Sequence, residues 1–178
     1  MITAATILGH DANSLTAAFQ DNLLTHWNEI RNGHRFPLRR AFRPQTASRH
    51  LPRVAMVSID ADKAFHTRVV GSDIVERLHL DTSTDPLIEA NDPHTRDLLI
   101  QLLGTARDAA MPVYLEGVFS PAAFHSIAFT ALVLPFSMND SGESLDVLML
   151  AFDFSRPHTV DFSTYERRAD DTSFGAAI

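Results

Sequence analysis

The run Val54-Ala55-Met56-Val57-Ser58-Ile59, then Asp60-Ala61-Asp62-Lys63-Ala64, then Phe65-His66-Thr67-Arg68-Val69-Val70-Gly71 and on to Leu80 decides the fold. The first six residues are apolar and β-prone, and the next five are polar and interrupt the run. Alternation in the third piece predicts a second strand with Phe65, Thr67 and Val69 on one side and His66 and Arg68 on the other. Gly71 ends that strand. Ser72 or Asp73 can cap a short helix through Ile74, Val75 and Leu78 by accepting its first free amide protons. Two antiparallel strands with a helix directly after them form half of a small α+β domain, not a nucleotide-binding βαβ unit.

C-terminal to this centre, Thr82 to Asn91 is turn-rich, with one helical turn expected at Leu87-Ile88. Asp92-Pro93 pairs a capping side chain with proline at the first helical position. The helix it opens is expected to reach about Ala110 and to bury Leu98, Leu99, Leu102, Leu103 and Ala106. Gly104 inside it costs about 1 kcal/mol against alanine, which suggests close approach of another element. Met111-Pro112 ends this helix.

Three strands are expected next, Val113 to Phe119, Ser126 to Phe136 and Leu145 to Phe154, the last two joined by the polar loop Met138 to Glu143. Ile127, Phe129 and Val133 oppose Ala128, Leu132 and Leu134; Leu145, Val147 and Met149 oppose Leu148, Leu150 and Phe152. Strands apolar on both faces require cover on both faces.

On the N-terminal side, Asn13 or Ser14 is expected to cap a helix with Leu15, Phe19, Leu23, Trp27 and Ile30 along one face. Asn32-Gly33 stops it. This stripe is the cheapest cover for the second sheet face, unless a second subunit supplies it, and Trp27, the only tryptophan, reads as its packing anchor. Pro37, Pro44 and Pro52 punctuate the connector that follows.

The chain carries a net charge of −7, divided into +4 over residues 1–59 and −11 thereafter. Arg31, Arg35, Arg39, Arg40, Arg43, Arg49 and Arg53 form a run without a carboxylate. No nucleic-acid motif accompanies it, so a connector lying on the acidic remainder is favoured over a nucleic-acid contact. Zero cysteines exclude disulfides, thiol catalysis and cysteine-ligated metals. No apolar run is long enough to span a bilayer, and the basic start and apolar core of a secretory signal are missing, so a cytoplasmic chain is expected.

Trp27 before Arg31-Asn32-Gly33, Pro37 and Pro44, Leu51-Pro52, Asp60, Phe65-x-x-Arg68-Val69-Val70-Gly71, Pro112 and Leu134-Pro135-Phe136-Ser137 occur in an order and spacing that resemble one bacterial family of short, stand-alone PAS proteins, the fifth PAS class. The resemblance covers about residues 23–154. Thr67 stands where an aromatic residue is common, and Pro121 to Phe124 lack the family's usual polar turn. The resemblance implies a sensory or regulatory module, and it carries over no catalytic residue.

The fold expected is therefore a single α+β domain. It has a PAS-like five-stranded antiparallel sheet, helices on one face, and the N-terminal helix on the other face or at a dimer interface. Residues 1–13 read as a mobile lead-in, 14–154 as the domain and 155–178 as a flexible tail. A small apolar or amphipathic ligand is expected between sheet and helices, lined by Phe65, Thr67, Val69, Leu99, Leu103 and Leu115. Arg68 points to the face beneath the first helix and needs a partner there, Glu116 being one candidate; that pair would fix the helix or act as its switch.

The apolar stripe of the first helix suggests a homodimer. A ligand-free adaptor binding a protein partner is the alternative, and an arginine-mediated nucleic-acid binder a weaker third. Nine histidines show no metal-ligand spacing, and no metal is assigned. Haem-binding PAS domains use a histidine from the helical side, which singles out His79 and His94. Phosphate loops, nucleophile elbows and kinase signatures are absent, Asp60/Asp62 and Asp170/Asp171 read as solvated pairs, and no catalytic group or cofactor is assigned.

Overall fold

The structure, a computed structural model, describes residues 2–7, 17–90, 92–119 and 126–154, with residues 2–7 and 46–47 described as backbone only. One antiparallel sheet runs through it in the order β1-β4-β5-β6-β2-β3. Its strands are β1 Ile2–Ile7, β2 Val54–Ile59, β3 Phe65–Val70, β4 Val113–Phe119, β5 Ile127–Phe136 and β6 Val147–Asp153. Five are those expected. The sixth, β1, pairs with β4 in the stretch read from sequence as a mobile lead-in. Asn13, Ser14, Leu15 and the tail 155–178 lie outside the described residues.

Both faces of the sheet are covered, as its two-sided apolar strands require. On the inner face, α2 (Ser72–Leu78) and α3 (Pro93–Ala109) bury Ile74, Leu99, Leu102 and Leu103 against Ala55, Val57, Leu115, Phe129, Val133 and Phe152. On the outer face, α1 (Ala18–Arg31) lays Phe19, Leu23, Leu24 and Trp27 on Val54, Met56, Leu132, Leu134, Phe136, Val147 and Met149. The stripe that suggested a homodimer is thus consumed within the subunit. Chemistry drove the stripe onto the nearest apolar surface, its own sheet.

Two polar contacts set the position of α1. The Trp27 indole N–H donates to the Pro135 carbonyl at 2.7 Å. Pairing between β4 and β5 stops at Val113↔Val133, so the β5 flank at Pro135 is open toward the helix. Gln20, fully buried, donates to the Ala151 carbonyl at 2.8 Å and accepts from Thr130 Oγ1 at 3.3 Å. A buried amide satisfied at both ends tolerates little sliding.

Helix ends are mostly as read. Asn32 closes α1 in the left-handed conformation, and Asp92 caps α3 by accepting from the Thr95 amide at 2.7 Å. The N-cap of α2 is Gly71, not Ser72 or Asp73. A Cβ there would lie 2.2 Å from the Pro52 carbonyl oxygen, so only glycine lets the connector pass. Gly104 is a correction of the opposite kind: a Cβ on it would meet nothing within 4 Å. Leu87-Ile88 forms a turn whose Glu89 amide donates to the Asp85 carbonyl, with Leu87 fully buried.

The arginine-rich connector is absorbed by the protein itself. Arg31, Arg35, Arg39 and Arg53 stack over Trp27, Phe36, Phe42 and Phe19. Arg40 pairs with Asp140. Arg53 bridges Asp73 of α2 and Asp153 of β6, at 3.3 and 3.5 Å. Five of the seven arginines therefore have intramolecular roles, and Arg43 and Arg49 are exposed.

Candidate functional site

The pairing of β2 with β3 skips a residue. Met56 faces Val69, but Val57 faces Thr67, so Arg68 is the extra residue of a β-bulge. In a regular strand, neighbours point to opposite faces; in a bulge, two residues oppose one and both can share its side. Arg68 and Val69 accordingly both turn to the outer face with Met56. This corrects the strict alternation expected from sequence: Phe65 and Thr67 belong to the inner face, and Val69 does not.

The outer face carries a cleft of about 750 Å³ at this bulge. Its floor and walls are Met56, Ser58, Ile59, Arg68 and Val69 from β2 and β3, Val147 from β6, Arg39 from the connector, and Met138 and Asp146 from the hairpin between β5 and β6. The connector is held over it by backbone bonds: Arg39 N–H donates to the Ser137 carbonyl at 2.8 Å, and Ser137 N–H to the Pro37 carbonyl at 3.0 Å.

Two carboxylates line the cleft, and both are occupied with holding loops. Asp146 accepts from the Met138 amide at 2.7 Å, Ser144 Oγ at 2.6 Å and Ser137 Oγ at 3.3 Å. Burial pushes its carboxyl up, but these hydrogen bonds outweigh that and leave it below the usual carboxylate range. Asp60 accepts from His66 Nε2 at 2.9 Å and from the Ala64 amide at 2.8 Å, and the His66 bond is the main reason its carboxyl is also lowered.

The two guanidiniums are in a different condition. Arg68 Nε donates to Ser58 Oγ at 2.8 Å, and Arg39 Nε to Met56 Sδ at 3.2 Å. Neither makes an ion pair among the described residues. Glu116 is not the partner of Arg68: it sits on β4, separated from β3 by β5, β6 and β2, about 19 Å across the sheet at the usual strand spacing. Arg68 is exposed and not capped by α1, because α1 covers the β5 and β6 side while β3 is the sheet edge.

The interior residues named from sequence lie together, apart from Val69. Leu99, Leu103 and Leu115 have zero exposure within one continuous core, and Phe65 packs at its margin. Thr67 is tied instead to Asp85, whose carboxylate accepts from its amide at 2.8 Å and from its hydroxyl. His79 and His94 are exposed, at the C-cap of α2 and in the first turn of α3. Among the described residues, no three His, Asp or Glu side chains converge as a metal site. No described helix is long and apolar enough to cross a membrane.

Sequence reasoning missed the cleft because its residues come from five elements spread between Arg39 and Val147. Val147 was legible on one face of β6 and Arg68 on the same side of the sheet, but only the bulge turns Val69 onto that face as well.

Neither the curated proteins nor the solved structures contain a match to the chain. The family model described as PAS domain matches residues 15–150, from the first helix into β6, and it meets an antiparallel sheet with helices on the inner face. With well over half of its length matched, the chain belongs to the PAS domain family.

Proposed function

We propose that this PAS-domain chain is a non-enzymatic sensory or regulatory module that holds a small apolar or amphipathic ligand in the outer cleft and reports its occupancy through α1. One observation carries the reading. Met56 and Val147 form part of the cleft and also belong to the apolar cluster beneath α1. A guest that moves them changes the surface on which Phe19, Leu23 and Trp27 rest. The volume, about 750 Å³, suits a small-molecule site.

Such a guest shifts the docking of α1 only by its difference in affinity for the two packings. The interior site expected from sequence would instead have to open around Leu99, Leu103 and Leu115, which are fully buried. The outer cleft is open as it stands.

A second reading has its own support. Val69 and Met138 on the cleft are 55% and 65% exposed, large apolar surface of the kind that protein partners cover. Native mass spectrometry of freshly purified protein separates the two. A reproducible small-molecule adduct that disappears in Val69→Glu supports the sensor, whereas a clean apo mass with a captured protein supports the adaptor. The same spectra report whether the chain is a homodimer.

A further inference from the structure

We propose that the outer cleft selects a small amphipathic organic anion, its carboxylate or phosphate head held between Arg39 and Arg68 and its hydrocarbon body on Met56, Val69 and Val147. This rests on the cleft being the ligand site of the module.

Hydrogen-bonding groups around the cleft divide into spent and unspent ones. Asp60 has both oxygens committed, to Ala64 and His66, and Asp146 takes Met138, Ser137 and Ser144 on its Oδ2. Arg39, whose guanidinium also stacks over Phe42, and Arg68 each commit only Nε to a hydrogen bond, and each to a neutral acceptor. Their terminal nitrogens donate to nothing among the described residues, which leaves two guanidinium forks with free donors. Carboxylates and phosphates are the groups that match such forks, through paired charge-assisted hydrogen bonds.

Placement agrees with this chemistry. The acceptors that hold the two Nε atoms, Met56 and Ser58, are alternate residues of β2 on one face, roughly 7 Å apart along the strand. Both Nε atoms are thus held on one stretch of β2 within the same cleft. Fixing Nε in advance also orients each fork before a ligand arrives, which lowers the ordering cost of binding. The apolar part is supplied at the same place: the bulge turns Val69 onto the face of Arg68, beside Met56.

The test uses the full chain labelled with ¹³C at its methionine methyls. Met56 and Met138 report the cleft; Met111, which does not line it, serves as the control. Octanoate and octyl phosphate are titrated, with octanol and octylamine as probes of equal chain length. The expected result is a saturable shift of Met56 and Met138 by an anion, at least tenfold tighter than by octanol. Arg39→Met and Arg68→Met should each weaken it at least tenfold, with the lysine variants recovering part of the loss. In the unaltered protein, added salt should weaken octanoate and leave octanol unchanged.

Octanol binding as tightly as octanoate, preference for octylamine, or anion affinity indifferent to salt and to both arginine variants would overturn the anion while leaving the cleft as the ligand site. If none of the four probes moves Met56 or Met138, the cleft fails as a ligand site and the anion with it.

Discussion

Arg68 and Val69, adjacent in sequence, share one face of the sheet because both oppose Met56 where β3 bulges against β2. A regular β3 would send one of them inward. Removing Val69 by deletion restores the register and takes the apolar wall from the cleft. Such a variant is expected to keep its fold, since β3 is an edge strand, and to lose octanoate-induced shifts at Met56. Far-UV circular dichroism and methyl spectra check the two parts separately.

The inner core and the outer face should respond independently. Leu103→Ala empties volume in a fully buried cluster and is expected to cost about 2–5 kcal/mol, with the cleft still able to bind. Trp27→Phe leaves the Pro135 carbonyl without its indole donor and should cost about 1–3 kcal/mol. Urea denaturation of each variant measures both.

Two glycines should behave in opposite ways on replacement by alanine. At Gly71 the new methyl would collide with the Pro52 backbone, so Gly71→Ala should displace the connector and strongly destabilise the chain. At Gly104, facing open space in the middle of α3, Gly104→Ala should stabilise by about 0.5–1 kcal/mol. Thermal melts of the pair give the comparison.

Acid should loosen β3 from the domain. The Asp85 carboxylate accepts from the amide and hydroxyl of Thr67 and from the amide of Ile88. Burial raises its carboxyl pKa, but the hydrogen bonds from Thr67, Ile88 and Leu87 prevail and the net shift is downward. A carboxyl whose folded pKa is depressed contributes stability above its unfolded value, near 3.9, and loses it as pH falls through the folded value. Asp60 and Asp146 shift in the same direction. Stability should therefore hold above about pH 5 and fall below about pH 4. Asp85→Asn should flatten part of that slope; urea midpoints across pH 2.5–6 read it.

Much of this architecture is legible in the residues. The Phe19–Leu23–Trp27 stripe, strands apolar on both faces and the Asp92-Pro93 start are strong local signals, and each appears where expected. What escaped depends on contacts distant in sequence. The bulge is a property of the β2–β3 pair and not of either strand, so alternation alone put Val69 on the wrong face. Position 71 has to be glycine because the Pro52 backbone lies against it, and Gly104 faces open space; neither fact is local. Ile2–Ile7 contains two alanines and little alternation, and it becomes a strand by pairing with β4.

Amide hydrogen exchange in α1 is the most direct test of coupling between cleft and helix. On saturation with the anion that shifts Met56 and Met138, exchange should change across residues 19–30 of α1 and stay constant across 96–108 of α3. Unchanged exchange in α1 with the cleft fully occupied, or a response confined to α3, would contradict the account.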